Sequence, residues 1–177
     1  MMRCYITDRR QGDVIRSAVR AIRNGIEMIQ VREKDLAASE LFELVCRIRD
    51  IAQGSSTKVL VNDRLDVALA AGIDGVHLPA NGLPPGRVRP HVRLLGASTH
   101  NVEEAVCAER EGVDYVIFGP VFETPGKIPV GLDALRGVCT AVKVPVLAVG
   151  GITVENAVRA VEAGAAGIAA IRLFQQG

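Results

Sequence analysis

The chain predicts an α/β fold of the (β/α)8 barrel class, and three observations carry that reading. Eight short aliphatic runs alternate with longer amphipathic stretches, and a strand–helix succession of this kind builds a parallel sheet. The aliphatic runs are nearly continuous rather than alternating with polar residues, as expected of strands whose outer face is covered by helices. Segments 70–78 (AAGIDGVHL), 110–118 (REGVDYVIF) and 162–171 (EAGAAGIAAI) share one shape: a helix end, a capping glycine, a small or acidic turn residue, then a strand. A repeated unit of this kind favours the barrel over a doubly wound sheet, whose Gly-x-Gly-x-x-Gly turn after the first strand is absent.

In chain order the strands are expected at 4–6, 28–31, 58–61, 75–78, 94–97, 115–118, 144–149 and 167–171. The first helix, 14–23, spaces Ile15, Val19 and Ile22 on one face, and the second, 36–52, carries a stripe of Leu41, Leu44, Val45, Ile48 and Ile51. A short helix at 64–71 ends at Gly72, and a weak one at 84–92 is interrupted by prolines. Helix 101–111 has Asn101 as its N-cap and Glu103 and Glu104 in the first turn, and it ends at Gly112. Helices at 132–142 and 154–163 follow, the latter ending at Gly164.

With 177 residues, one domain is expected over 1–177. A barrel of this class usually takes ~200–250 residues. Only six residues follow Ile171, so the eighth helix is expected to be missing or truncated. The flank it would cover is then free to pair two copies into a homo-oligomer.

Composition narrows the function classes. The chain is 49% hydrophobic and 23% charged, which excludes intrinsic disorder. Lys and Arg number 21 against 20 Asp and Glu, so electrostatics gives no reason to expect nucleic acid or an anionic membrane. Aromatic residues make up 3% and Trp is absent, which leaves few stacking platforms for single strands. No apolar run approaches a membrane span, and the first residues reach Asp8, Arg9 and Arg10 too early for a signal peptide. Cys4, Cys46, Cys107 and Cys139 are scattered, without metal-ligand or disulfide spacing. These features predict a cytoplasmic protein.

In a barrel of this class the C-terminal strand ends carry the chemistry. The polar residues there are Gln30, Arg32 and Lys34 after the second strand, Asn62 and Asp63 after the third, and His77 at the end of the fourth. Ser98, Thr99 and His100 follow the fifth, Thr124 and Lys127 the sixth, Gly150 and Gly151 the seventh, and Arg172 the eighth. Arg32, Lys34 and Lys127 would ring one mouth with positive charge, suited to a diphosphate or another polyanion. Asp63 is the acid of the set and a candidate ligand for Mg²⁺, which would bridge phosphate oxygens. Gly150 and Gly151 precede a helix and let backbone N–H groups approach a phosphate. Each feature has a plain alternative: residues 32–35 as a solvated charged loop, the glycine pair as a tight turn, His77 as a hydrogen-bonded interior residue.

The order of these motifs resembles the thiamine-phosphate synthases and their TenI-like relatives. The matching runs are Tyr5-Ile6-Thr7-Asp8, Gln30-Val31-Arg32-Glu33-Lys34, Val61-Asn62-Asp63-Arg64, Gly75-Val76-His77-Leu78, Gly96-Ala97-Ser98-Thr99-His100-Asn101, Asp114-Tyr115, Phe118-Gly119-Pro120-Val121-Phe122 and Ala148-Val149-Gly150-Gly151-Ile152. The resemblance implies coupling of an aminopyrimidine diphosphate to a thiazole phosphate with loss of pyrophosphate. By motif position, Gln30, Arg32, Lys34, Asn62, Ser98 and Lys127 would meet the pyrimidine diphosphate. Asp63 would hold Mg²⁺, and Thr124, Gly151 and the backbone at Ala170 and Ile171 would hold the thiazole phosphate. Three positions depart from the pattern: the second Mg²⁺ carboxylate falls on Gly82, the phosphate loop has a single threonine in Thr124-Pro125-Gly126-Lys127, and Arg172 stands where serine is usual. A TenI-like thiazole tautomerase and a catalytically degenerate phosphate binder are the alternatives. Phe122-Glu123-Thr124 resembles the tautomerases, but Pro120 occupies the place of their acid–base histidine.

Overall fold

Eight parallel strands close on themselves in sequence order, β1 pairing with both β2 and β8 in the computed structural model, which describes residues 1–175. The strands are β1 (Met2–Ile6), β2 (Met28–Val31), β3 (Lys58–Asn62), β4 (Gly75–Leu78), β5 (Leu94–Thr99), β6 (Tyr115–Phe118), β7 (Val146–Val149) and β8 (Gly167–Ala170). Between them run α1 (Val14–Arg23), α2 (Ala38–Ala52), α3 (Leu65–Ala71), α4 (Pro85–Val88), α5 (Val102–Arg110), α6 (Gly131–Ala141) and α7 (Val154–Glu162), and α8 (Arg172–Gln175) follows β8. The expected (β/α)8 barrel is therefore observed.

Two apolar layers follow from the alternation of side chains along each strand. Outward residues such as Ile29, Val61, Val76, Leu95, Val116 and Ala148 pack against the helices. Inward residues Cys4, Ile6, Met28, Leu60, Tyr115, Ile117, Leu147 and Ala169 fill the barrel. Burial pushes the Cys4 thiol up to about 12, so it serves as a small apolar group.

The acidic turn residues of the repeated segments act at the N-terminal end of the barrel. Asp74, before β4, accepts the Val59 N–H of β3 at 3.0 Å, and Asp114, before β6, accepts the Leu95 N–H of β5 at 2.7 Å. Glu27, before β2, does the same for the Arg3 N–H of β1 at 2.9 Å. Burial alone would raise the Glu27 carboxyl, but its bonds to Arg3 outweigh that and hold it below the usual range.

Local chemistry explains where elements depart from expectation. The 84–92 stretch splits into α4 and a 3-10 turn over Arg89–His91, because Pro90 has no N–H and restrains the residue before it. β7 starts at Val146, after Pro145, whose carbonyl accepts the Val116 N–H. The eighth helix is short in the described residues. It lies against α1, with the Arg20 guanidinium donating to the Phe174 carbonyl at 2.7 Å and the Phe174 ring 6.2 Å from that of Tyr5. On α7, Val154, Val158 and Val161 are left exposed.

Close approach fixes one interior glycine. A Cβ on Gly96 would stand 2.2 Å from Cζ of Tyr115, whose ring passes over β5 at that point. Gly96→Ala is expected to destabilise the fold by about 2–3 kcal/mol through overpacking, read as a lower urea midpoint. A midpoint equal to that of the unsubstituted chain would show that the ring is free to move aside.

Candidate active site

Closure of the parallel sheet sends every strand's C-terminal end to the same mouth. Gln30 (β2), Asn62 (β3), His77 (β4) and Ser98 (β5) occupy four consecutive strands there. The first three are buried and Ser98 is half-buried. Asn62 and His77 are register partners. Gln30 is 1% exposed, and its amide Nε2 has no hydrogen-bond partner. A buried amide without a partner is costly and marks a place where a ligand atom would complete the bonding. Arg32 is half-buried just beyond β2, while Lys34 and Lys127 are exposed. None of the three forms an ion pair among the described residues. These charges are therefore available to an anion.

The loop carrying Arg32 is ordered by a residue that its charged neighbours disguise in the sequence. Glu33 is 4% exposed. Its carboxylate accepts the Thr7 hydroxyl at 2.6 Å and the Arg9 N–H at 3.1 Å from both oxygens. Thr7 Oγ1 in turn accepts the Arg32 N–H at 3.0 Å. The β1 and β2 loops are thereby clamped together beneath Arg32. Asp8 is held too: burial would raise its carboxyl, but hydrogen bonds from Arg10 and Gln11 outweigh that and lower it. The Gln175 amide of α8 donates to the Asp8 carbonyl at 2.8 Å. Residues 32–35 are thus a mixture of clamp and free charge rather than a uniformly solvated loop.

His77 is the hydrogen-bonded interior residue that its apolar strand suggested. Its Nδ1 lies 3.1 Å from the Tyr115 hydroxyl and its Nε2 lies 2.8 Å from Ser98 Oγ. Burial, with a smaller contribution from the nearby Arg32 charge, pushes its pKa down to about 3. The imidazole is therefore neutral at physiological pH. His100, by contrast, is exposed and bonds Glu104 at the start of α5, while His91 is exposed.

Asp63 follows β3 with φ +66°, a left-handed conformation uncommon outside glycine, and its N–H donates to the His77 carbonyl at 2.9 Å. Gly82 is its neighbour, for a Cβ there would lie 3.1 Å from Asp63 Oδ1. Among the described residues no group of three or more His, Cys, Asp or Glu converges to hold a metal. Asp63 is thus not part of such a cluster.

On the opposite side of the mouth, residues 124–127 make a tight turn, with the Lys127 N–H donating to the Thr124 carbonyl at 3.0 Å and Gly126 at φ +75°. The Thr124 hydroxyl donates to the Phe122 carbonyl at 3.1 Å. Gly150 (φ +94°) and Gly151 (φ +64°) press against this loop. A Cβ on Gly150 would lie 2.4 Å from Pro120, and one on Gly151 would lie 2.3 Å from the Glu123 carbonyl oxygen. The pair is therefore required by close approach as well as by turn geometry. It leads into α7 through a capping box of Thr153 and Asn156. Ala170 faces the outer layer and Ile171 the barrel interior.

Two outcomes follow. Glu33→Ala would leave the Thr7 hydroxyl and the Arg9 N–H unpaired and is expected to cost about 2–3 kcal/mol in urea unfolding; an unchanged midpoint would refute the clamp. His77 resists protonation in the fold, whereas an unfolded histidine titrates near ~6.5. Its contribution is therefore complete above about pH 6.5 and falls by about 1.4 kcal/mol per unit as the pH drops toward 3. Between pH 7 and 5 the wild-type chain should lose on the order of 2 kcal/mol more than His77→Gln, and parallel pH slopes would contradict a buried neutral imidazole.

Comparison with known proteins agrees with this fold. The family model described as thiamine monophosphate synthase matches residues 4–174. A putative thiamine-phosphate synthase of Geobacter sulfurreducens is 42% identical over 176 residues, covering 94% of this chain and 83% of that protein. The putative thiamine-phosphate synthase 2 of Aquifex aeolicus is 39% identical, covering 96% of this chain and 95% of that protein. The solved structure of a thiamine phosphate pyrophosphorylase from Pyrococcus furiosus superposes with a TM-score of 0.90 at 36% identity, covering 97% of this chain and 85% of the other. With a family match across nearly all of its length and a barrel of the same build, this chain belongs to the thiamine monophosphate synthase family.

Proposed function

We propose that the chain is a thiamine-phosphate synthase, a transferase that joins 4-amino-2-methyl-5-hydroxymethylpyrimidine diphosphate to thiazole phosphate and releases pyrophosphate. The observation that carries this reading is the pairing of two features at one mouth. A buried row of Gln30, Asn62 and His77 with half-buried Ser98 lies below an anion-ready rim of Arg32, Lys34 and Lys127. Family membership and the names of the relatives support it.

Departure of pyrophosphate from the pyrimidine leaves a carbocation on one side and concentrates negative charge on the other. Stabilising that charge is the main demand on the protein. Arg32 and Lys34, carried on the loop that the Thr7–Glu33 clamp orders, would neutralise the diphosphate from the β2 side, and Lys127 from the β6 side. Gln30 would complete its unpaired amide on the pyrimidine, with Asn62 and Ser98 beside it. Thr124, Gly150, Gly151 and the backbone at Ala170 and Ile171 would seat the thiazole phosphate, so that its ring nitrogen faces the cation.

Asp63 is the residue that would hold Mg²⁺, and one carboxylate suffices where substrate phosphates and water supply the remaining oxygens. Bound there, the ion would neutralise diphosphate oxygens. The reaction takes small phosphorylated substrates and needs neither nucleic acid nor membrane. No helix among the described residues is long and apolar enough to cross a bilayer, and the four free thiols suit the reducing cytoplasm.

The test supplies both substrates and Mg²⁺ and measures pyrophosphate. Release is expected, falling about 100-fold in kcat/KM for Arg32→Ala and by a comparable factor for Asp63→Asn. No release at saturating Mg²⁺ would overturn the synthase reading, and isomerisation of the thiazole phosphate without metal would replace it with tautomerase activity.

A further inference from the structure

The charge chemistry at the rim leaves two buried polar residues inside the barrel, Tyr115 and His77, without a role. Tyr115 on β6 and His77 on β4 stand two strands apart, and Gly96 on the strand between them makes room for the phenol to cross. From the Tyr115 hydroxyl a polar file runs 3.1 Å to His77 Nδ1, then from Nε2 another 2.8 Å to Ser98 Oγ. Tyr115 and His77 are each 1% exposed, whereas Ser98 is half-buried toward the mouth.

The directions of these bonds follow from the numbers of protons. A neutral imidazole donates from one nitrogen and accepts at the other. The Tyr115 hydroxyl carries one proton, and its hydrogen-bond partner among the described residues is His77 Nδ1. Were Nδ1 itself protonated, the phenol proton would be left without an acceptor in a dry interior, a costly arrangement. Tyr115 therefore donates to Nδ1, and the Nε2–H donates to Ser98 Oγ. The proton of Ser98 is then turned away from His77 and is free for another acceptor.

We propose that Tyr115 and His77 are positioning residues that fix Ser98 as a hydrogen-bond donor to an acceptor atom of the substrate held in the mouth. The polarity acts as a preference: a ring nitrogen or phosphate oxygen takes the Ser98 proton and completes the file, whereas an amino group would meet only the remaining lone pair of Oγ and leave that proton unused. The substrate part of this inference rests on the proposed synthase reaction, while the polarity of the file stands on the chain itself.

Two measurements test it. In ¹⁵N-histidine-labelled protein at neutral pH, His77→Gln assigns the His77 signal against those of His91 and His100. The expected state is the Nε2–H tautomer in the wild-type chain, giving way to a mixture of tautomers in Tyr115→Phe. A wild-type Nδ1–H tautomer would overturn the proposal whatever reaction the protein performs. In the two-substrate assay, Tyr115→Phe is expected to lower kcat about tenfold with KM little changed, and Ser98→Ala to lower it at least as far. Tyr115→Phe added to Ser98→Ala should cause no further loss, because the tyrosine acts through the serine. Additive losses, or wild-type kcat in Tyr115→Phe, would refute it. A wild-type enzyme that releases no pyrophosphate would remove the synthase reading alone, with the tautomer still deciding the direction of the file.

Discussion

Closure of the sheet between β1 and β8 is the constraint from which the rest of this protein follows. Met2, Arg3, Cys4 and Tyr5 pair with Gly167, Ile168, Ala169 and Ala170. With that seam made, no sheet edge is left open and every strand points the same way. Chemistry and stability are thereby assigned to opposite ends. At the N-terminal end Glu27, Asp74 and Asp114 each tie the start of one strand to its neighbour. At the C-terminal end the same strands release Gln30, Asn62, His77 and Ser98 toward a common axis. A net charge of +1 for the whole chain conceals the unpaired basic groups that stand at the upper end.

The interior is dry below the mouth and becomes polar in steps. Leu60, Leu147 and Ala169 sit with Cys4 and Tyr115 in the apolar layer, and from Tyr115 the polar file rises through His77 to Ser98. Gly96 is what allows a bulky ring to lie across a neighbouring strand at that level. An absent side chain on β5, a phenol on β6 and an imidazole on β4 therefore form one packing unit. On the far side Gly150 and Gly151 play the comparable part, giving up side chains so that the 120–127 loop can fold down onto the seventh strand's end.

Much of this was legible in the sequence because burial writes itself as continuous aliphatic runs. β2, β4 and β6 fall where those runs fall, and the capping residues Asn101 and Gly72 mark helix ends as their chemistry requires. β3 and β5 reach further than their apolar runs, to Asn62 and Thr99. Polar residues at a strand's end keep their ladder bonds, so hydrophobicity stops before the strand does. The clamp made by Glu33 was hidden for the opposite reason. Among Arg32, Lys34 and Asp35 it has the look of one more solvated charge, and only the fold reveals that Thr7 and Arg9 come down on it. Glu27 belongs with Asp74 and Asp114 in function, but its longer side chain disguises the repeat. The phenol of Tyr115 read as a strand residue, and nothing local to position 115 shows that it spans two strands to His77.

The proposed anion site is thus assembled from distant loops and held by the barrel rather than by any single motif. The most direct test is calorimetric titration of the chain with inorganic pyrophosphate in the presence of Mg²⁺, comparing wild type with Arg32→Ala and Lys127→Ala. If the rim acts as one site, both substitutions weaken binding by about tenfold or more, although they lie on loops after different strands. Wild-type affinity in both variants would mean that these charges are merely solvated and that the mouth is not where the diphosphate is held.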